Sequence, residues 1–453
     1  MRSISLLFLA ASLLAAKPLP KLRVSDNQRF LVTADGKPFF YLADTAWELF
    51  HRLDRAQAVR YLDTRAAQGY TAIQAVALAE LDGITDPNAY GKLPLIDKDP
   101  AKPVSAYWEH VDFIIDQANA RGLYIALLPT WGSWVSDKDH TIFTVANAQT
   151  YGEFLGRRYK DKGIIWILGG DRTPTGVEPV WRALAKGIAI GVSGKEDYSA
   201  VLMSFHPRGG QTSSTQFHND EWLDFNMQQN GHGIPGKAAP FARMAKDYAL
   251  TPVKPAIDGE PLYEDHPLGF NAKLNGYSFD AHVRQYAWWD VFSGGAGHTY
   301  GNHAVWQMFA PGRKAINGPL MYWEQAILRP GAAQMQHLRF LMESRPYLSR
   351  VPDQSLVVDA LTEADYIAAT RGDGYAFIYS AQGRKFTVNL PLLPTKLKLW
   401  WYNPRTGSSH AAGEFDNSAP REFACPSEGF GSDWILVLDD ATRNFPAPGK
   451  RGN

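Results

Sequence analysis

One cysteine in 453 residues, Cys425, excludes an intrachain disulfide and leaves stability to core burial. Net charge is missing as well. The 46 Lys and Arg balance the 46 Asp and Glu, and the basic residues are scattered, so the electrostatic footprint of a nucleic-acid binder is absent. Beyond Leu6–Ala16 no apolar run approaches the roughly 20 residues that a membrane-spanning helix needs. No His-Glu-x-x-His or paired-Cys spacing marks a metal site, and no glycine-rich phosphate loop follows Phe39-Phe-Tyr-Leu-Ala, the first strand candidate of the main domain. The expectation is a monomer with a neutral or weakly charged ligand and neither metal nor cofactor.

The N-terminus is a separate object. One positive charge, the apolar run Leu6–Ala16 and small residues at Ala15 and Ala16 read as a signal peptide over residues 1–16, which predicts export to the periplasm or the medium. Residues 22–38, with Arg29-Phe-Leu-Val-Thr and an Ala34-Asp-Gly-Lys turn, read as a short hairpin packing on one of the following domains.

Over 39–345, strand-like runs alternate with amphipathic stretches. The runs are Phe39–Ala43, Thr71–Leu78, Leu123–Leu128, Ile164–Leu168, Val201–Phe205, Phe225–Gln229, Pro255–Asp258 and Ala296–Thr299. Between them lie helical patterns such as Arg55–Gln68, Trp108–Arg121 and Asp280–Phe292. Eight alternations predict an α/β (β/α)8 TIM barrel, with a doubly wound sheet as the competitor. Past Arg350 the pattern shortens to strand candidates Ser355–Asp359, Tyr366–Thr370, Ala376–Ser380, Lys385–Leu390, Leu397–Tyr402 and Trp434–Leu438. A small all-β sandwich over 350–442 is expected, then a flexible tail over 443–453. Arg371-Gly-Asp373 resembles an adhesion tripeptide but reads as a hairpin turn.

All eight barrel strands end in polar or aromatic residues, which predicts a lined pocket where the loops leave the strands. In chain order the candidates are Asp44 and Trp47, Glu80, Trp131, Asp171 with Arg172, His206, Gln229 with His232, Glu260, and His298 with Tyr300. Asp171 and Glu260 close the fourth and seventh strands and face each other across the mouth. Two opposed acids suit glycoside cleavage, one protonating the leaving oxygen and one ionised beneath the anomeric carbon. Asp171 is assigned the acid role and Glu260 the nucleophile, with His206, His232, His298 and Tyr300 as donors that keep Glu260 ionised. The 14 Trp and 20 Tyr supply rings that stack on sugars, or simply fill the core. Structural alternatives remain. Asp171 could be a helix N-cap before Thr173-Pro174, Asp44 a cap of the helix holding Trp47, and Glu260 an ion-pair partner of Lys254 or Arg284. A non-catalytic carbohydrate-binding protein, or an adhesion protein working through the C-terminal domain, would also fit parts of the pattern.

Several stretches resemble glycoside hydrolase family 140, the apiosidase-like proteins, whose barrel precedes a domain labelled collagen-binding. They are Asp44-Thr-Ala-Trp-Glu-Leu-Phe-His-Arg-Leu53, Gln68-Gly-Tyr-Thr-Ala-Ile-Gln74, Trp166-Ile-Leu-Gly-Gly-Asp-Arg172, Phe205-His-Pro207, Asp258-Gly-Glu-Pro261 and Gly297-His-Thr-Tyr-Gly301. The resemblance implies a retaining glycosidase with Asp171 as acid/base and Glu260 as nucleophile. It also implies a plant cell-wall substrate, β-apiose on rhamnogalacturonan II side chains of pectin, with arabinofuranose as the alternative pentose.

Overall fold

The structure, a computed structural model, describes residues 18–235 and 240–450. The expected signal peptide, 1–16, lies outside the described residues.

Three short strands, β1 (Leu22–Val24), β2 (Leu31–Thr33) and β3 (Pro38–Phe39), form an antiparallel sheet in the order β1-β2-β3. The expected hairpin turn over Ala34–Lys37 joins the last two, and an added strand covers β2 on its other side.

The eight expected barrel strands all form, as β4 (Tyr41–Thr45), β5 (Ala72–Val76), β6 (Tyr124–Leu128), β7 (Ile164–Gly169), β8 (Met203–His206), β9 (Asn226–Gln228), β10 (Ala256–Asp258) and β11 (Gly297–Tyr300). They pair in parallel in the order β8-β7-β6-β5-β4-β11-β10-β9. The seam between β8 and β9 is closed by other bonds. Asp224 N–H donates to the Met203 carbonyl (2.9 Å), Met203 N–H to the Asp224 carboxylate (2.7 Å), and the Ser204 hydroxyl to the Phe225 carbonyl (2.6 Å). Strand and helix faces bury one another, which is why the strands read as near-continuous apolar runs. The helix Arg55–Ala67 shows the local logic. Asp54 caps it reciprocally with Gln57, and the chain turns at Gln68-Gly69 into β5.

After residue 350 the chain is antiparallel. A six-stranded sheet has the order β12-β13-β14-β19-β16-β17, from β12 (Val351–Pro352), β13 (Ile367–Gly372), β14 (Tyr375–Ser380), β16 (Lys396–Tyr402), β17 (Ser409–Asp416) and β19 (Trp434–Asp440). A two-stranded ribbon, β15 (Phe386–Val388) with β18 (Arg421–Phe423), completes the domain. The expected strand Ser355–Asp359 is instead a 3-10 turn, Gln354–Leu356, followed by an isolated bridge from Val357 to Val388. Strands β17 and β18 were not expected, because β17 is an exposed edge without apolar alternation. Arg371 and Gly372 pair with Ala376 and Tyr375 in the β13–β14 hairpin, so the adhesion-like tripeptide is a turn. The expected flexible tail is tied down through Lys450. The Arg345 guanidinium lies 4.8 Å above the Phe445 ring, and Gly449 N–H donates to the Ser344 hydroxyl (3.3 Å).

Two buried guanidinium–carboxylate pairs bolt this domain to the barrel. Arg284, on the helix Asp280–Phe292, grips Asp433 through two bonds of 3.0 and 2.9 Å, and Arg345 grips Asp439 at 2.8 and 2.7 Å. Trp288 stacks on Tyr379 alongside them, so one apolar core runs across both domains. Arg284→Ala leaves Asp433 buried without its partner, a change of about 3–5 kcal/mol. Differential scanning calorimetry is expected to show the C-terminal sheets melting ahead of the barrel in that variant, against one shared transition in the wild type.

Candidate active site

The barrel interior narrows to a cavity of about 480 Å³ where the loops leave the strands, and Asp171, Glu260 and Glu80 all stand on its wall. Trp47, Trp131, Gln229 and His232 line it as expected from the sequence.

Glu260 is buried, and its carboxylate meets two imidazoles. His232 Nε2 donates to Oε1 at 3.0 Å, while His206 Nε2 lies 3.1 Å from Oε2. Burial would push this carboxyl up, but the hydrogen bonds and charges of His206 and His232 prevail and bring it down to about 2. The His206 ring is held between Trp47 (5.4 Å, edge-on) and Trp131 (5.9 Å), and His232 stacks on His266 (4.2 Å) and Tyr263 (4.2 Å). From below, Gln74 Nε2 donates to the Gly259 carbonyl (2.7 Å) and Asp258 Oδ1 accepts Glu260 N–H (3.1 Å), which fixes the backbone that carries the acid.

Asp171 is presented by a turn that other residues could hardly make. A Cβ on Gly169 would lie 2.3 Å from the His206 carbonyl oxygen, and one on Gly170 2.7 Å from the Trp131 ring, with both glycines at positive φ. Asp171 itself sits at φ +46°, a strained value that the surrounding bonds impose. Its carboxylate accepts Gly209 N–H (3.2 Å) and a long contact from Arg172 (3.4 Å). Burial, and then the charge of Glu260, push its pKa upward, opposed by His206, Gly209 and Arg172. His206 also ties the two acids together, since Asp171 N–H points at its Nδ1 (3.4 Å) while its Nε2 faces Glu260.

The structural alternatives for the two acids do not match this geometry. The helix after Asp171 begins at Glu178 with Val177 as its cap, Arg284 is taken by Asp280 and Asp433, and Lys254 bonds to backbone carbonyls. Five other expectations need correction. Asp44 is not a wall residue. Along β4 the side chains alternate, Tyr41 reaching Gln74 inside the barrel and Asp44 pointing out to the helices, where it pairs with Arg65 (2.7 Å) and accepts the Tyr61 hydroxyl. It does not cap the helix Leu49–Arg52 either, whose N-cap is Glu48. His298 and Tyr300 on β11 point outward in the same phase, to Asp290 (3.1 Å) and Glu264 (2.6 Å), so they neither line the cavity nor hold Glu260. Arg172 stands behind Asp171, bonded to Asp137 (3.2 Å) and to the Asp171 carbonyl (2.9 Å). His206 is wholly buried under Glu260, a support for the acid and not a ligand contact.

Other wall residues were not anticipated. Tyr263, His266 and Phe270 belong to the loop after Glu260, and Trp306 and Asn317 to the segment after β11. Neither loop has a period that would orient its side chains, and the only signal was proximity to Glu260 and to the last strand. Among the described residues, Asp258, Asp290 and His298 are the one group with metal-ligand spacing. Asp258 accepts Glu260 N–H, Asn230 N–H and the Asn230 amide (2.6 Å), so it also holds the backbone of the site.

A barrel mouth with two carboxyls in opposed electrostatic settings defines a glycoside hydrolase, and two solved structures agree. One titled "Glycoside hydrolase" is 36% identical with TM-score 0.87, over 94% of this chain and 98% of that one. A glycoside hydrolase family 5 structure from Bacteroides vulgatus ATCC 8482 is 35% identical with TM-score 0.87, over 94% and 96%. Residues 25–349 match the model of the apiosidase-like catalytic domain, and the chain belongs to that family. Residues 351–439 match a model described as "Putative collagen-binding domain of a collagenase". No curated protein matches the chain.

The placement of Asp44 makes a direct prediction. Asp44→Ala strands the Arg65 guanidinium in the interior and is expected to cost about 3–5 kcal/mol of stability. The denaturant midpoint of the variant measures it. A normal midpoint with a raised KM would instead return Asp44 to the substrate site.

Proposed function

We propose that the protein is an exported, retaining exo-glycosidase that removes a terminal pentose, with β-apiose on rhamnogalacturonan II side chains of pectin as its substrate. The observation that carries this reading is the pairing of Glu260, held ionised by two histidines, with Asp171, pushed toward its neutral form, on one cavity wall. Export rests on the Leu6–Ala16 run, and the sugar on the apiosidase-like family. A cavity of about 480 Å³ suits one terminal sugar better than a long chain.

In the first step a Glu260 oxygen bonds to the anomeric carbon, the glycosidic C–O bond breaks, and Asp171 gives its proton to the departing oxygen. In the second, Asp171 takes a proton from water, the water oxygen bonds to the anomeric carbon, and the Glu260 carboxylate leaves. Retention requires the two carboxyls to approach to about 5–5.5 Å. The C-terminal domain supports the barrel through Arg284, on the helix Asp280–Phe292, and Arg345.

The activity requires Glu260 ionised and Asp171 protonated. The acid limb of kcat/KM is therefore expected near pH 2, the level at which Glu260 gains its proton, and the alkaline limb above the ordinary aspartate range. His232→Ala removes a donor while leaving the burial, so the acid limb moves to higher pH. Glu260→Ala abolishes turnover, whereas Asp171→Ala spares aryl glycosides with activated leaving groups and cripples natural linkages. Equal losses on both substrate types would remove Asp171 from the acid role. Digestion of rhamnogalacturonan II fragments and of arabinofuranosides, with the released monosaccharide identified, decides the sugar. Arabinose as the sole product would replace apiose in this assignment.

A further inference from the structure

Two of the three carboxyls on the cavity wall have hydrogen-bond or ion-pair partners, and the third has none among the described residues. Glu260 has His206 and His232, and Asp171 has Gly209 N–H and Arg172. No hydrogen bond to the Glu80 carboxyl is found among the described residues, although the side chain is half-buried and faces the same space. An acid left over on a surface would be unremarkable. Glu80 is not on a loose surface segment, because the backbone on both sides of it is pinned. The Ala79 carbonyl accepts the Trp134 indole N–H (3.0 Å), and Leu81 N–H donates to the buried Glu48 carboxylate (3.0 Å). Two fixed bonds thus present a side chain that has no hydrogen-bond partner among the described residues.

The surroundings decide its charge. The Asp171, Glu48 and Glu260 carboxyls crowd it, and the opposing charge of Arg172 is committed to Asp137 and Asp171. Burial first, and then these like charges, push Glu80 up to about 8, which favours its protonated form at neutral pH. A neutral carboxyl is a hydrogen-bond donor, which an ionised one cannot be.

We propose that Glu80 is a specificity-determining residue whose neutral carboxyl donates a hydrogen bond to a hydroxyl of an uncharged sugar seated over Glu260. The inference deepens the glycosidase reading above and rests on it. The ionised Glu260 also disfavours a carboxylated ring in that position, since like charges brought together in a confined site repel. The sugar cleaved off is then a neutral one.

Glutamine keeps the shape of Glu80 and offers an N–H donor in place of the O–H, whereas alanine offers nothing. With the full-length protein and a neutral aryl pentoside that the wild type cleaves, Glu80→Ala is expected to raise KM about 5- to 10-fold, the worth of one neutral hydrogen bond. Glu80→Gln is expected to recover most of that loss. If Gln is as damaging as Ala, an N–H donor does not replace the carboxyl and the proposal fails. A second measurement needs no substrate. The 13C carboxyl resonance present in wild type and absent in Glu80→Gln should report a protonated group at pH 6 that titrates near pH 8. An ionised Glu80 at pH 6 overturns the proposal whatever the enzyme cleaves. A wild type that releases no pentose, with Glu80 still protonated, would sink the pentosidase reading instead.

Discussion

A carboxylate taken out of water stays ionised only where fixed donors replace the lost solvation, and the site is built around that requirement at Glu260. His206 and His232 are useful only because their rings cannot turn away. Trp47 and Trp131 clamp the first, and Tyr263 and His266 the second. Much of the aromatic content read from the sequence as a sugar platform therefore works one layer deeper, holding the groups that hold the acid. Asp171 receives the contrary treatment on the same wall. It lies buried with the charge of Glu260 in front, and both of these favour its proton against a backbone N–H and a long contact from Arg172.

This electrostatic contrast needs a rigid frame. The turn Gly169-Gly170-Asp171 fits only because two residues without side chains pass against the His206 carbonyl and the Trp131 ring. The frame extends into the C-terminal sheets through Arg284–Asp433, anchored on the helix Asp280–Phe292, and Arg345–Asp439, just past the helix Pro330–Glu343. One of these helices, Asp280–Phe292, also carries Asp290, which stands beside Asp258 under the Glu260 loop. The second domain thus steadies an element that backs the active site, a role independent of any ligand of its own.

The barrel was legible in the sequence because parallel strands buried on both faces must be continuously apolar, and all eight runs stood out for that reason. Strand ends were legible too, but the direction of the side chains near them was not. Asp44, His298 and Tyr300 sit at the right depth in the barrel and in the wrong phase. A strand turns alternate residues outward, and the apolar signal is the same on both faces of a doubly buried sheet. The pair Asp171 and Glu260 escaped this ambiguity because both lie past the last strand residue, where the loop backbone sets the direction. The loop after Glu260, with Tyr263, His266 and Phe270, has no period, so nothing in its sequence alone could assign those residues to the wall. In the C-terminal domain β17 was lost for the opposite reason, since an edge strand facing water has no apolar pattern to read.

The residues beneath the nucleophile explain why two acids in Asp258-Gly-Glu260 do such different work. Asp258 accepts the N–H groups of Glu260 and Asn230 and the Asn230 side-chain amide, so one buried carboxyl fixes both the turn that carries Glu260 and the loop that leads to His232. Burial pushes the carboxyls of Asp258 and Asp290 up together and the neighbouring His298 imidazole down to about 4. The three groups therefore settle their charge with a retained proton, and the imidazole stays neutral. A full second charge at this point would repel Glu260 and raise its pKa, working against the two histidines above it. The retained proton lets the protein hold the nucleophile's backbone with a carboxyl while leaving the field at its carboxylate mainly to His206 and His232.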